Sequence, residues 1–112
     1  MTTSTQQPNS SVFRIDSFAV PQAAHTEFMA KVQETKDFLD EQTGCLQNLI
    51  LERHSGSDRF NVVTVVEWEH EQAFAKAKAA MMEKRRGSGF DPEAFLKTLG
   101  VEANMSNYIA AS

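Results

Sequence analysis

Three side chains in this sequence have the chemistry to take a proton or to steady a negatively charged oxygen. Asp16 shares its alternation with Arg14 and Phe18, so a strand there sets a carboxylate, a guanidinium and a phenyl ring on one face. Desolvation of that face would raise the basicity of the carboxylate; exposure would leave a plain surface ion pair with Arg14. His25 is a second candidate base, although its place in the first turn of a helix implies solvent exposure. Trp68 offers an apolar wall and one indole N–H, a donor that needs a partner when buried. The alternative for Trp68 is simple packing at a strand end. No His, Cys or acid pair has metal-ligand spacing, and His70-Glu71 lacks a second histidine four residues on, so no metal site is expected. Gly87-Ser88-Gly89 follows a helical stretch instead of preceding one, which argues against a phosphate loop.

The elements that must position these groups follow from the hydrophobic pattern. Phe60 to Trp68 is a nearly unbroken run of β-formers with apolar groups on both faces: Phe60, Val62, Val66 and Trp68 on one, Val63 and Val65 on the other. A strand buried on both faces needs cover on both. Helices can cover one side, and a second copy of the chain is the simplest cover for the other. Val12–Val20 reads as a first strand ended by Pro21. A helix follows with Ala24, Phe28, Val32, Thr35 and Leu39 on one face, stopped at Gly44. Cys45–Arg53 reads as a second strand, with Leu49 and Leu51 on one face and Leu46 and Ile50 on the other. Asn61, by alternation, falls on the face away from Trp68. A second helix, from Glu71, presents Phe74, Ala77 and Met81 together. Asp91-Pro92-Glu93 starts a short further helix, and Asn104–Ala110 closes the chain as a strand. The order β-α-β-β-α-β predicts an α+β, ferredoxin-like fold with an antiparallel sheet.

A chain of 112 residues with 41% apolar and 23% charged residues is one ordinary globular domain. Its formal net charge of −4 and scattered basic residues argue against a nucleic-acid partner. No stretch is long and apolar enough to span a membrane. Residues 1–11 are polar, with no apolar h-region, and read as a flexible tail ahead of a single domain at 12–112. Cys45 is the only cysteine, so no intrachain disulfide forms and a cytoplasmic location is the default expectation.

Thr43-Gly44-Cys45-Leu46, Arg59-Phe60 and Glu67-Trp68 ahead of a helix, in that order and spacing over about residues 12–110, resemble the antibiotic biosynthesis monooxygenase (ABM) domain of the dimeric α/β-barrel superfamily. The resemblance implies two subunits packed sheet against sheet, each with a pocket between sheet and helices. It further implies oxidation of a small aromatic (a hydroquinone, phenol or anthrone) by dioxygen without metal or flavin. Trp68 matches the family's tryptophan. Cofactor-free oxygenation begins by deprotonating the substrate, and the bases this chain offers are Asp16, His25 and, with less reason, Glu67. Phe74 and Met81 would line the pocket, though their spacing also suits core packing. Arg85 or Arg86 would draw an anionic substrate to the pocket mouth, against a role at the helix dipole. Tyr108 would bond a ligand or serve the dimer contact. Haem-degrading relatives carry a histidine on the second helix where this chain has Lys76-Ala77-Lys78-Ala79, and an asparagine on the first strand where it has Arg14-Ile15-Asp16. Those departures weigh against haem degradation. A non-catalytic binding dimer and an isomerase of a small keto compound are the other readings.

Overall fold

The computed structural model describes residues 11–111. Within them the chain runs β1 (Val12–Ala19), a 3-10 turn (Gln22–Ala24), α1 (His25–Asp40), β2 (Cys45–Glu52), β3 (Val62–Trp68), α2 (Glu71–Ser88), α3 (Pro92–Leu99) and β4 (Glu102–Tyr108). The four strands form one antiparallel sheet in the order β2-β3-β1-β4. This is the ferredoxin-like arrangement expected from the sequence, with α3 inserted ahead of the last strand. Ser11, the only described residue of the expected tail, is buried, and its hydroxyl donates to Glu67 Oε2 at 2.9 Å.

The strand register sorts the side chains into two faces. Arg14, Asp16 and Phe18 stand opposite Val66, Thr64 and Val62 of β3. On the other flank Asp16 pairs with Met105 and Phe18 with Ala103. These rows face the helices. The intervening rows, with Phe13 beside Tyr108 and Ile15 beside Val65 and Ser106, lie on the opposite face, which no element among the described residues covers. There Leu49, Leu51 and Tyr108 are 38%, 46% and 51% exposed, high values for large side chains on a sheet.

Beneath the helices the core divides in two. Phe18, Val20, Ala24, Phe28, Val62 and Val101 form one cluster, in which the Phe18 and Phe28 rings meet at 5.0 Å. Val66, Trp68, Ala73 and Ala77 form the other. α2 is placed over the second by capping at both ends. His70 Nδ1 accepts from the Ala73 N–H at 3.1 Å, and Gly89 closes the helix in the left-handed region. The helix therefore ends inside the Gly87-Ser88-Gly89 segment, with Ser88 its last residue and Gly89 its cap. Gly44, at φ +91°, lets β2 start hard against α2: a Cβ there would lie 2.6 Å from Ala73 Cβ.

Two details depart from strict alternation. Leu46 sits in a bulge, since Cys45 pairs with Trp68 and Gln47 with Glu67. The extra residue turns Leu46 outward to 56% exposure instead of beside Ile50. Asn61, expected on the outer face, instead precedes β3 and brackets the backbone of Val20. Its Oδ1 accepts from Val20 N at 2.8 Å and its Nδ2 donates to Val20 O at 3.0 Å. β1 has just ended before Pro21, so the Val20 backbone groups lack a full ladder, and the amide completes them.

Candidate active site

Between the helix-facing side of the sheet and the helices lies a cavity of about 270 Å³. It occupies the gap between the two core clusters. Its floor is the central rows of the sheet, with Arg14, Asp16, Thr64, Val66 and Trp68 on β1 and β3, Asn48 and Ile50 on β2, and Met105 on β4. α2 supplies Phe74, Ala77, Met81 and Arg85 from successive turns, and α1 supplies Lys31, Val32 and Thr35. Phe90, Pro92 and Phe95 close the far end.

Asp16 is the only carboxylate in the lining. Its side chain is 18% exposed, and Arg14 Nε donates to its Oδ1 at 2.6 Å. Burial raises its pKa above the ordinary 3.8, and the hydrogen bond and charge of Arg14 offset only part of that rise. Both alternatives drawn from the sequence thus hold together: Asp16 is ion-paired with Arg14, and the pair lies inside the cavity. Arg14 is held from its other side, where Nη2 approaches Met105 sulfur at 3.3 Å.

Trp68 is 2% exposed and belongs to both the core and the cavity wall. Among the described residues its indole N–H has no hydrogen-bond partner. No side-chain nitrogen or oxygen among them is both sealed from solvent-sized space and unpartnered, so the indole nitrogen keeps some accessible surface, and Trp68 lines the cavity. The site therefore holds a desolvated carboxylate and an uncommitted donor under helices that supply both apolar and cationic groups.

The remaining expected residues divide. Phe74, Met81 and Arg85 line the cavity. His25 does not: it lies at the start of α1, 40% exposed, with Nε2 2.6 Å from Glu52 Oε2. Tyr108 pairs across from Phe13 on the uncovered face. Glu67 is on that face too and accepts from Ser11. Arg86 points outward and pairs with Glu83. Sequence reasoning missed Lys31, Asn48 and Met105, while Phe90, which the sequence offers beside Met81 and Phe74 as an apolar lining residue, does line the cavity. Lys31 follows the core residue Phe28 by one helical turn, a signal that could have placed it at the cavity rim. Asn48 also anchors β2 to α1, donating to Lys36 O at 3.1 Å and Asp40 Oδ1 at 2.8 Å. Among the described residues no cluster of three or more His, Cys, Asp and Glu side chains could hold a metal ion, and no helix is long and apolar enough to cross a membrane.

No protein-family profile matches the chain, and no curated protein matches it in sequence. Solved structures do match. SnoaB, a cofactor-independent oxygenase from Streptomyces nogalater, superposes with a TM-score of 0.66 at 23% identity, over 92% of this chain and 95% of that one. The haem degrader MhuD from Mycobacterium tuberculosis, with two haems in its active site, gives 0.66 at 20% identity over 90% and 96%. A conserved protein from Methanosarcina mazei Go1 gives 0.68 at 15% over 91% and 94%. The likeness is one of fold, the ferredoxin-like arrangement expected from the sequence.

Proposed function

We propose that the protein is a cofactor-independent monooxygenase that oxidises a small aromatic, of hydroquinone, phenol or anthrone type, with dioxygen, and that it works as a homodimer. The observation that carries this reading is the pairing, in one apolar cavity, of a carboxylate made more basic by burial with a free indole N–H. Asp16 takes the proton from the substrate hydroxyl or activated ring carbon. Trp68 N–H holds the oxygen on which the negative charge gathers. The resulting anion is electron-rich enough to reduce dioxygen. With an anthrone-like substrate, the ring methylene becomes a carbonyl, one oxygen atom enters the product and the other leaves as water with the two hydrogens. No outside reductant is required. Phe74, Met81 and Ala77 keep bulk water from the anion.

The uncovered apolar sheet face supports the dimer, since Leu49, Leu51 and Tyr108 need cover that the subunit does not supply. The fold of MhuD raises haem as a second ligand, but no histidine lines this cavity among the described residues to serve as axial ligand. Haem titration with a flat Soret region would dispose of that reading.

Oxygen consumption by the metal-stripped protein, tested on naphthols, hydroquinones and anthrones against protein-free autoxidation, is the direct test. Uptake above autoxidation that drops about tenfold or more in Trp68→Phe, with the variant still folded at the assay temperature, is expected for a donor that stabilises a developing oxyanion. Uptake equal to autoxidation across the panel would overturn the oxygenase reading in favour of a binding protein or isomerase.

A further inference from the structure

The cavity carries more positive charge than its one carboxylate uses. In a chain of formal net charge −4, Arg14, Lys31, Lys78 and Arg85 all line it against Asp16 alone. Lys78 is exposed, and the surroundings of the others single out Arg85. Asp16 is engaged by Arg14, and Lys31 has Glu34 at 3.2 Å and stacks its ammonium 3.8 Å over the Phe90 ring. The Arg85 side chain, by contrast, is half-buried, and its guanidinium has no ion-pair or hydrogen-bond partner among the described residues. Burial and the like charge of Arg14 both lower its pKa, yet a guanidinium stays protonated throughout the physiological range. A desolvated cation without a counter-ion is costly, and an anion brought beside it removes that cost.

The position of Arg85 says which part of a ligand would do this. A second cleft of about 310 Å³ runs between α1 and α2, and Arg85, Lys31, Thr35, Met81 and Phe90 line both it and the main cavity. The main cavity adds the aromatic and aliphatic groups Trp68, Phe74 and Val66, whereas this branch adds a further cation, Lys84. Lys84 and Lys31 share the one carboxylate of the branch, Glu34.

We propose that the substrate is an aromatic acid, whose ring occupies the cavity beside Trp68 and whose carboxylate seats on Arg85 at the junction of the two clefts. The planar fork of the guanidinium matches a carboxylate with two parallel hydrogen bonds. This inference rests on the proposed aromatic-binding role of the cavity, but not on oxygen chemistry.

The test compares naphthoate with naphthamide, a neutral isostere, by calorimetric titration near neutral pH; neither compound is turned over. Naphthoate is expected to bind at least about tenfold more tightly, with the preference shrinking as salt is added. Arg85→Met should abolish the preference, bringing naphthoate affinity down to that of naphthamide. Arg86→Met, which removes an outward charge paired with Glu83, should keep it and so controls for net charge. Equal affinities for acid and amide, or a preference that survives Arg85→Met, overturn the proposal while leaving the aromatic cavity intact. Binding of neither compound would overturn the aromatic reading and this proposal with it. Loss of oxygen uptake alone bears only on the chemistry.

Discussion

Replacing Asp16 by asparagine isolates the proton transfer from everything else the side chain does. The amide has nearly the shape of the carboxylate, and its oxygen can still accept from Arg14 Nε, 2.6 Å from Oδ1 in the native site. What it loses is basicity. General-base assistance contributes about 100-fold to 10,000-fold, or ~2.7–5.4 kcal/mol of barrier. At 18% exposure the site leaves bulk water little room to substitute for the missing base. With a substrate whose hydroxyl titrates well above neutrality, kcat/KM at neutral pH should fall by at least roughly 100-fold. The pH profile supplies the second readout. Wild-type kcat/KM should rise through a pKa above 3.8, the ordinary aspartate value, because burial holds the proton on, and the variant should lack that limb. Stability carries the opposite sign. The native protein keeps the Asp16 proton to higher pH than the unfolded chain does, so this stabilisation is complete below 3.8 and is lost as pH rises through the native pKa. Asp16→Asn is therefore expected to melt no lower than wild type near neutrality and to show a flatter dependence on pH in the acid range. His25→Gln, outside the cavity, should leave turnover within about twofold, against the loss expected for a true base. An Asp16→Asn enzyme with near-wild-type kcat/KM, or a collapse in His25→Gln, would refute the assignment of the base.

Asn61→Ala removes two hydrogen bonds to the backbone of buried Val20, at 2.8 and 3.0 Å. With ~1–3 kcal/mol for each group left unsatisfied, we expect a loss of about 2–4 kcal/mol and a melting point lower by roughly 10 °C; an unchanged thermal melt would show that water replaces the amide. Leu51→Asp, placed on the uncovered sheet face, should convert a dimer to a monomer in sedimentation equilibrium. A wild-type protein already monomeric at micromolar concentration would contradict the proposed sheet-to-sheet pairing.

Much of the site was legible because strand alternation is a rigid rule. Parity alone put Arg14, Asp16 and Phe18 on one face of β1, and Val62, Val66 and Trp68 together on β3, and the register joins those two sets over the cavity floor. The rule fails where one residue is added. Leu46 lies in a bulge whose only trace is the pairing of Cys45 with Trp68 and Gln47 with Glu67, and nothing in Cys45-Leu46-Gln47 announces it. Asn61 was misread for a related reason: its side chain answers a need created by Val20, 41 residues earlier in sequence, which periodicity does not see. Met105 was missed because β4 has a weak hydrophobic pattern. Its place in the lining depends on how the last strand docks. Arg85, in contrast, could be placed on the helix but not given its isolation, which only the absence of a neighbouring carboxylate in three dimensions reveals.

The division of the core into two clusters with the cavity between them gives the empty protein a seam. Phe18, Phe28 and Val62 secure one end, Trp68, Ala73 and Ala77 the other, and the middle row of Asp16 and Thr64 is roofed by open space. A ligand seated there acts as a keystone, touching both halves at once. Occupancy and folding are then linked by mass action: saturation at ~100 times Kd adds about 2.7 kcal/mol to the folded state. Substrate supply would in this way set how much of the protein survives heat or proteolysis, and a shift in melting temperature becomes a means of finding the natural ligand before any reaction is known.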